Sequence, residues 1–199
     1  MFTNIYAVGA NYSAHNREMG RSTDERFLVF QKSTSIVLAS GGVLPYPPDT
    51  KELHHEGELV VLLGEGGRPA AYAAGIDFTR RDLQREAKSR GEPWFPGKNF
   101  PGAAAIGGFV DAGAFEPIAG RRLVLTVGGQ VRQEARLDEM LRDVPALLGL
   151  LARIVPLVPG DAVYTGTPSG VGPVAPGDVV RCEIEGLPPL EVRIGPPRE

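Results

Sequence analysis

Two glutamates, Glu56 and Glu58, stand two positions apart at the start of an apolar stretch that runs to Gly64. If this stretch is a strand, residues i and i+2 point to the same face, so the two carboxylates project side by side. Neighbouring like charges are costly to bury unless a cation lies between them, and hard divalent cations prefer carboxylate oxygens. The spacing indicates a metal site, and a strand edge with its polar residues in solvent explains the same pattern.

A third carboxylate, Asp77, directly follows the small-residue segment 70–76. That segment fits either a strand or a short helix, because its periodicity does not separate the two. Asp77 is placed to be a further ligand of the same ion. It is equally placed to cap the helix that begins nearby, a role that Thr79 could also take.

His15 and Glu18 are three residues apart in a segment that can form a helix. On a helix the two side chains would touch, and a carboxylate bonded to imidazole fixes the tautomer and raises the basicity of the ring. Such a pair can serve as a general base for water. The competing interpretation is a surface helix with a neutral histidine beside an acid. The polar residues that follow suggest a lid over about 16–26.

Four further side chains could contact a substrate. Arg81 and Gln84 would share one face of a helix predicted over 83–90, offering donors suited to a carboxylate. Lys98, flanked by Gly97 and Asn99, could hold its amine against an enolate oxygen, although surface lysines are common. Thr167 lies in a loop rich in glycine and proline after a predicted strand, and such a loop can direct backbone N–H groups and a hydroxyl at an anion.

The remaining pattern predicts many short strands joined by turns. Residues 122–127 and 130–134 flank Gly128-Gly129, which is the signature of a two-residue β-hairpin. The clearest helix spans 143–155, with Asp143 as its cap and an apolar stripe formed by Leu147, Leu148, Leu151, Ile154 and Val155. Residues 27–32 are predicted to form a strand that ends at Lys32. This lysine could face a substrate anion, but a lysine at the end of a strand is usually solvated, and we expect that here.

Composition narrows the class of protein. The chain has 199 residues, of which 42% are hydrophobic and 23% charged, and this suits one soluble domain covering 1–199. A net charge of −3 gives no basic patch for nucleic acid or an anionic membrane. The single cysteine, Cys182, suits a reducing compartment, and we find neither a signal peptide nor a long apolar stretch, so a cytoplasmic location is expected.

Several other catalytic templates do not match. The run 54–56 (His-His-Glu) lacks the second histidine of a zinc protease helix, and no Gly-x-Ser-x-Gly turn precedes a helix. Cys182 lies in a predicted strand without a partner and is expected to be a core thiol.

With these residues in place, the chain resembles the fumarylacetoacetate hydrolase superfamily, and it is most similar to the short single-domain branch of acylpyruvases, fumarylpyruvate hydrolases, oxaloacetate decarboxylases or tautomerases, and isomerases of aromatic catabolism. The resemblance rests on motifs at 11–18 (Asn-Tyr-x-x-His-x-x-Glu), 53–59 (Leu-His-His-Glu-x-Glu-Leu), 77–84 (Asp-x-Thr-x-Arg-Asp-x-Gln), 97–100 (Gly-Lys-x-Phe), 159–161 (Pro-Gly-Asp) and 165–173 (Thr-Gly-Thr-Pro-x-Gly-Val-Gly-Pro).

The resemblance implies an α+β fold with a mixed, strongly bent β-sheet roll, few short helices and a homodimeric assembly. It implies that Mg²⁺ or Mn²⁺, with Ca²⁺ less favoured, is held by Glu56, Glu58 and Asp77. It implies that His15 and Glu18 activate water on a closing lid and that Lys98 stabilises an enolate. Arg81, Gln84 and Thr167 would orient the substrate. Ser33 and the loop after Phe100 depart from the family's pattern near the expected substrate site, so the resemblance leaves the substrate open.

The resulting hypothesis is hydrolysis of a carbon–carbon bond in a 2,4-dioxo acid, such as an acylpyruvate or fumarylpyruvate, through a pyruvate enolate. One alternative uses the same metal and enolate without attack by water, as in an oxaloacetate decarboxylase or tautomerase or a 2-hydroxy-diene-dioate isomerase. A second alternative is an inactive binding protein that has kept the fold. That alternative requires loss of a metal carboxylate or of the histidine–glutamate pair, and none of these residues is missing.

Overall fold

The computed structural model describes residues 2–20 and 27–197 of the chain. Its strands are β1 (Ile5–Gly9), β2 (Leu28–Lys32), β3 (Val37–Ala39), β4 (Val43–Tyr46), β5 (Leu53–His55), β6 (Gly57–Leu63), β7 (Pro69–Asp77), β8 (Thr79–Arg80), β9 (Ala104–Ile106), β10 (Val110–Asp111), β11 (Arg122–Val127), β12 (Gln130–Arg136), β13 (Ala162–Tyr164), β14 (Gly172–Val174), β15 (Val179–Ile184) and β16 (Leu190–Pro197). Its α-helices are α1 (Ser13–Glu18), α2 (Arg81–Arg90), α3 (Phe95–Lys98), α4 (Ala112–Phe115) and α5 (Val144–Leu151), and 3₁₀ turns occupy Thr34–Ile36, Glu65–Gly67 and Leu137–Glu139. Within these residues, no helix combines the length and apolar character needed to span a membrane.

The described strands form three sheets. The largest has the order β2-β1-β13-β6-β7-β9-β3, with β10 beside β7. In it β1 pairs with β13 and β3 with β9 in parallel, while the other neighbours are antiparallel. A second sheet has the order β12-β11-β15-β16-β4, and a third has the order β14-β5-β8. This mixed, curled sheet with few short helices confirms the predicted α+β class.

The centre of the largest sheet is buried on both faces. Strand β6 contributes Leu59, Val60 and Val61, and the neighbouring β7 contributes Ala73 and Ala74, all fully buried. Small side chains let β7 sit between two packed layers, and these residues join one hydrophobic cluster that extends through the sheets. The ambiguous segment 70–76 is therefore a strand, and its end delivers Asp77 to the edge of this core.

The predicted hairpin is observed, since β11 and β12 pair across Gly128 and Gly129, both with positive φ. The predicted helix over 143–155 is shorter than expected. Its N-terminus is capped by Asp143, whose carboxylate accepts from the N–H of Ala146 at 2.9 Å, but α5 ends at Leu151. Because Val155 precedes a proline, the helical conformation is disfavoured there. The expectation that Ile154 belongs to the core is wrong, as this side chain is 56% exposed.

Candidate active site

The acidic residues meet where two strands are interrupted. The sequence suggested one continuous strand through Glu56 and Glu58, but β5 ends at His55 and β6 begins at Gly57, so that Glu56 occupies the break. Its carbonyl accepts from the N–H of Asp77 at 2.8 Å, which makes Asp77 its neighbour on the adjacent strand. One carboxylate oxygen from each of Glu56, Glu58 and Asp77 lies within 4.8 Å of the others, and all three residues are buried.

Two of these acids are paired with buried cations. The Lys98 Nζ donates to Glu56 and Asp77, both at 2.7 Å, and to the hydroxyl of Thr79 at 2.6 Å. Arg81 donates to Glu56 at 2.5 Å. Burial raises the pKa of Glu56, but the charges of Lys98 and Arg81 outweigh this effect and hold it below its usual range. The lysine therefore uses its three donors within the acidic cluster.

Lys32 belongs to the acidic cluster, although the sequence favoured a solvated position for it. Its side chain is almost completely buried, and its Nζ donates to Asp77 at 2.5 Å and to the carbonyl of Lys98 at 2.8 Å. The expectation that this strand-end lysine is solvated is wrong. Its partners are 45 and 66 residues away in sequence, so no local pattern could have revealed them.

Glu58 differs from the other two acids. Lys32, Arg81 and Lys98 form ion pairs with Glu56 or Asp77, but in the described part of the chain they form none with Glu58. The Oε2 of Glu58 instead accepts from the N–H of Gly166 at 2.6 Å. Gly166 has a φ of +99°, and a Cβ there would come within 2.8 Å of Asn11, so only glycine fits. Burial, followed by the charges of Asp77 and Glu56, raises the pKa of Glu58 well above its ordinary value.

This donor set fits a hard divalent cation. Three carboxylates supply the oxygen ligands that Mg²⁺ and Mn²⁺ prefer. The cation would also give Glu58 the positive partner that the described side chains do not provide, and it would relieve the repulsion that opposes ionisation of this group.

The histidine and glutamate identified from their spacing are in contact. Helix α1 brings the Nδ1 of His15 to 3.1 Å from the Oε2 of Glu18, and the Oε1 of Glu18 accepts from the N–H of Gly170 at 3.0 Å. Because a carboxylate only accepts, Nδ1 is assigned as the protonated nitrogen, which leaves Nε2 as the basic atom. Burial lowers the pKa of His15, although Glu56 and Glu18 oppose this effect.

One pocket joins these groups. Every residue proposed from the sequence, except Glu18, lines it, and His15 therefore faces the same space as the three acids. Helix α2 begins at Arg81, two residues earlier than expected, and places Arg81 and Gln84 on the same face, where they share a hydrogen bond of 2.7 Å. Lys98 lies in the short helix α3, where a loop was expected.

Gln133 is a buried residue that the sequence analysis did not single out. Its Oε1 accepts from the backbone N–H of Gly57 at 2.8 Å, and its Nε2 donates to the carbonyl of Pro168 at 2.9 Å. These backbone partners fix the orientation of the amide, because one can only donate and the other can only accept. The Nε2 therefore also donates to the hydroxyl of Thr167 at 2.8 Å, and that hydroxyl keeps its own proton for a group in the pocket.

A weak signal for Gln133 exists in the hairpin. Strand β12 is mostly exposed, and Gln133 alternates with Ala135 on its buried face. A polar residue at an inward position requires partners in the core. The pattern thus indicates a buried amide, but it does not indicate which backbone groups the amide contacts.

The predicted lid over 16–26 falls only partly within the structure. Residues 16–18 belong to α1, and residues 21–26 lie outside the described residues. Both the lid and the single domain over 1–199 stay predictions.

Comparison with known proteins gives a consistent result. Residues 4–195 match the family described as fumarylacetoacetate (FAA) hydrolase, C-terminal. The chain is 36% identical over 194 residues to a mitochondrial oxaloacetate decarboxylase of Dictyostelium discoideum, covering 92% of this chain and 89% of that protein. It is 35% identical over 191 residues to a fumarylpyruvate hydrolase of a Ralstonia species, covering 89% of this chain and 99% of that protein.

A solved structure is also closely similar. The crystal structure of fumarylpyruvate hydrolase from Pseudomonas aeruginosa in complex with Mn²⁺ and pyruvate has a TM-score of 0.94 and 38% sequence identity, with 98% of this chain and 90% of that chain covered. The match therefore extends over the fold and almost the entire described chain.

Proposed function

The chain belongs to the fumarylacetoacetate hydrolase family, and from this membership we propose that it is a divalent-metal-dependent hydrolase that cleaves a carbon–carbon bond in a 2,4-dioxo acid. The observation that carries the proposal is that the three buried acids and the imidazole of His15 face one pocket. An acylpyruvate or fumarylpyruvate is the proposed type of substrate, and the activity corresponds to hydrolases acting on carbon–carbon bonds in ketonic substances.

Glu56, Glu58 and Asp77 are the proposed metal ligands, with Mg²⁺ as the preferred ion and Mn²⁺ as the alternative. Their support is the close approach of three buried carboxylates. A divalent ion bound there supplies Lewis acidity to the oxygens of the 2-keto acid. The relative from Pseudomonas aeruginosa, whose structure contains Mn²⁺ and pyruvate, supports a divalent metal and a 2-keto acid.

The basic Nε2 of His15 is proposed to take a proton from water as the water oxygen bonds to the C4 carbonyl carbon of the substrate. Glu18 then stabilises the imidazolium through its contact with Nδ1. When the C3–C4 bond breaks, its electron pair moves to the pyruvyl part as an enolate, and the acyl part leaves as a carboxylic acid. A proton returned to C3 completes pyruvate.

Positive charge near the proposed enolate would come from buried side chains of the site. The Lys98 ammonium, fully engaged with Glu56, Asp77 and Thr79, is proposed to act through its charge at short range. Arg81 and Gln84 are proposed to bind the substrate carboxylate or keto oxygens. Thr167 is proposed to donate its hydroxyl proton to the same end of the substrate, since Gln133 already donates to its oxygen.

An oxaloacetate decarboxylase or tautomerase, or a diene-dioate isomerase, is the alternative that uses the same acids without attack by water. The similarity to the Dictyostelium discoideum decarboxylase favours it. The presence of the His15–Glu18 pair favours the hydrolase, because only that reaction requires a base for water.

The experiment is to incubate the purified full chain with acetylpyruvate, fumarylpyruvate and oxaloacetate in Mg²⁺, with a chelator control. A hydrolase releases pyruvate together with acetate or fumarate in equal amounts. Release of carbon dioxide from oxaloacetate faster than in the same Mg²⁺ without protein, and without cleavage of either dioxo acid, would establish the decarboxylase instead. The homodimer and the cytoplasmic location remain part of the proposal, to be measured by sedimentation and by cell fractionation.

A further inference from the structure

One wall of the pocket carries apolar side chains that the proposed chemistry does not use. The Lys98 Nζ, which contacts the acids, lies 5.3 Å from the centroid of the Phe30 ring. The Phe30 ring is in turn 5.1 Å from the ring of Trp94. Leu28 and Met19 line the same pocket. We call Met19, Leu28, Phe30 and Trp94 the apolar wall, and its rings lead from the acids toward the outside.

The charges around this wall are unevenly distributed. Among the described residues, the cations that line the pocket are Arg81, Lys98 and Lys88. Arg81 and Lys98 are held by the acids. Lys88 is exposed, and its Nζ lies 4.8 Å from the centroid of the Trp94 ring. A carboxylate lying against these apolar side chains would lose water, while the two described cations beside the acids are already paired with them.

We propose that the apolar wall binds the acyl tail of the substrate, and that the preferred substrates are 2,4-dioxo acids whose tail beyond C4 is uncharged and apolar. This inference rests on the proposed function, because it assumes that the 2-keto acid end of the substrate lies at the acids. Alkyl tails would pack on Leu28 and Met19. Aryl tails would in addition stack against Phe30 and Trp94.

A binding measurement tests the wall without requiring turnover. The full chain, supplied with Mg²⁺, is titrated in a calorimeter with 4-phenyl-2-oxobutanoate and with 2-oxoglutarate. The two share the 2-keto acid end and lack the C4 keto group of the substrate, and they differ in carrying an apolar or a charged tail. We expect the phenyl compound to bind at least about tenfold more tightly, since apolar groups in such pockets commonly discriminate to this extent. Equal affinity, or tighter binding of 2-oxoglutarate, would overturn the inference.

Variants of the wall provide the matched comparison. Trp94→Ala is expected to remove most of the preference for the phenyl tail, and Trp94→Phe to retain it. Phe95→Ala is the control, because Phe95 is the adjacent residue, is 59% exposed and does not line this pocket. If Trp94→Ala does not fold, Leu28→Lys serves as the second test and should shift the preference toward 2-oxoglutarate. Equal weakening of both ligands by Trp94→Ala, or no shift with Leu28→Lys, would contradict the proposal.

Kinetics separates this inference from the proposed function. We expect kcat/KM to be higher for 4-phenyl-2,4-dioxobutanoate than for acetylpyruvate, and lowest for fumarylpyruvate. If fumarylpyruvate is cleaved most efficiently, the hydrolase proposal stands and the apolar-tail proposal is wrong. If no dioxo acid is cleaved but the phenyl compound still binds preferentially, the wall is supported and the proposed reaction is wrong.

Discussion

The three acids and the His15–Glu18 pair share a pocket, but they are held in place in different ways. Glu56 and Asp77 lie at the ends of central strands and make ion pairs with Lys98, Arg81 and Lys32, all buried. The pair lies on the six-residue helix α1, and its glutamate side chain is 35% exposed.

This difference separates two requirements of the proposed chemistry. Buried charges with several partners each are costly to rearrange, so the acidic cluster is a rigid centre whose geometry the fold determines. The pair has fewer described contacts, a mutual bond and the bond from Gly170 to Glu18, and it can adjust its position with less cost. Changes in the centre should therefore alter stability and metal binding together, whereas changes in the pair should alter the reaction alone.

The largest effect is expected from Asp77→Ala. This change leaves the buried ammonium groups of Lys32 and Lys98 without a shared partner, so we expect a loss of about 3–5 kcal/mol in the free energy of unfolding and a fall in Tm of about 10 °C. Binding of Mn²⁺, measured by calorimetry, should be lost as well. Asp49→Ala, at an exposed aspartate, is the control. Unchanged stability and metal affinity in the Asp77 variant would show that the centre is not the rigid unit described.

His15→Ala is the corresponding change in the pair. Removing a general base should lower kcat on an acylpyruvate by about 10²–10⁴-fold, while Tm and metal affinity remain near those of the parent protein. Arg17→Ala on the exposed face of the same helix controls for disturbance of α1. Undiminished turnover by the His15 variant would remove this residue from the mechanism.

Gln133→Leu tests the connection between the centre and the glycine-rich loop. The change leaves the N–H of Gly57 unpaired and frees the hydroxyl of Thr167, so we expect a loss of about 1–3 kcal/mol in the free energy of unfolding and a rise in KM larger than the fall in kcat. Combined with Thr167→Val, the effect on KM should not add, because both changes act on the same hydroxyl, one by releasing it from Gln133 and the other by removing it. Additive effects, or an equal rise in KM with Gln130→Leu on the exposed part of the hairpin, would argue against this role.

The smallest effect concerns pH. Burial lowers the pKa of His15, while Glu56 and Glu18 raise it and Arg81 lowers it further. The neutral ring required of a base therefore persists below pH 6.5, and kcat/KM should decline only under more acidic conditions. Glu18→Gln removes one of the groups that raise this pKa, so the acidic limb should move to still lower pH as kcat falls. If kcat/KM already begins to fall above pH 6.5 as the pH is lowered, the assignment of His15 as the base would be contradicted.

The sequence determined the parts of the site that depend on local periodicity. His15 and Glu18 are three residues apart, as are Arg81 and Gln84, and in each case one turn of helix brings the side chains together. The spacing of Glu56 and Glu58 likewise placed two carboxylates together, even though the strand is interrupted at Glu56. The hairpin and the cap of α5 were also predicted correctly, because a glycine pair favours a tight turn and an aspartate caps a helix through contacts only a few residues away.

The tertiary structure decided which distant groups neutralise and orient these side chains. The bonds that Lys32 and Lys98 donate to Asp77 join residues 45 and 21 positions apart. The bonds of Gln133 with Gly57 and Thr167 span 76 and 34 positions. Local propensity carries no information about such contacts, since they form only when the curled sheets bring separate strands and loops into one pocket. Burial then changes the ionisation of each group, and burial is a property of the folded chain rather than of any short stretch of its sequence.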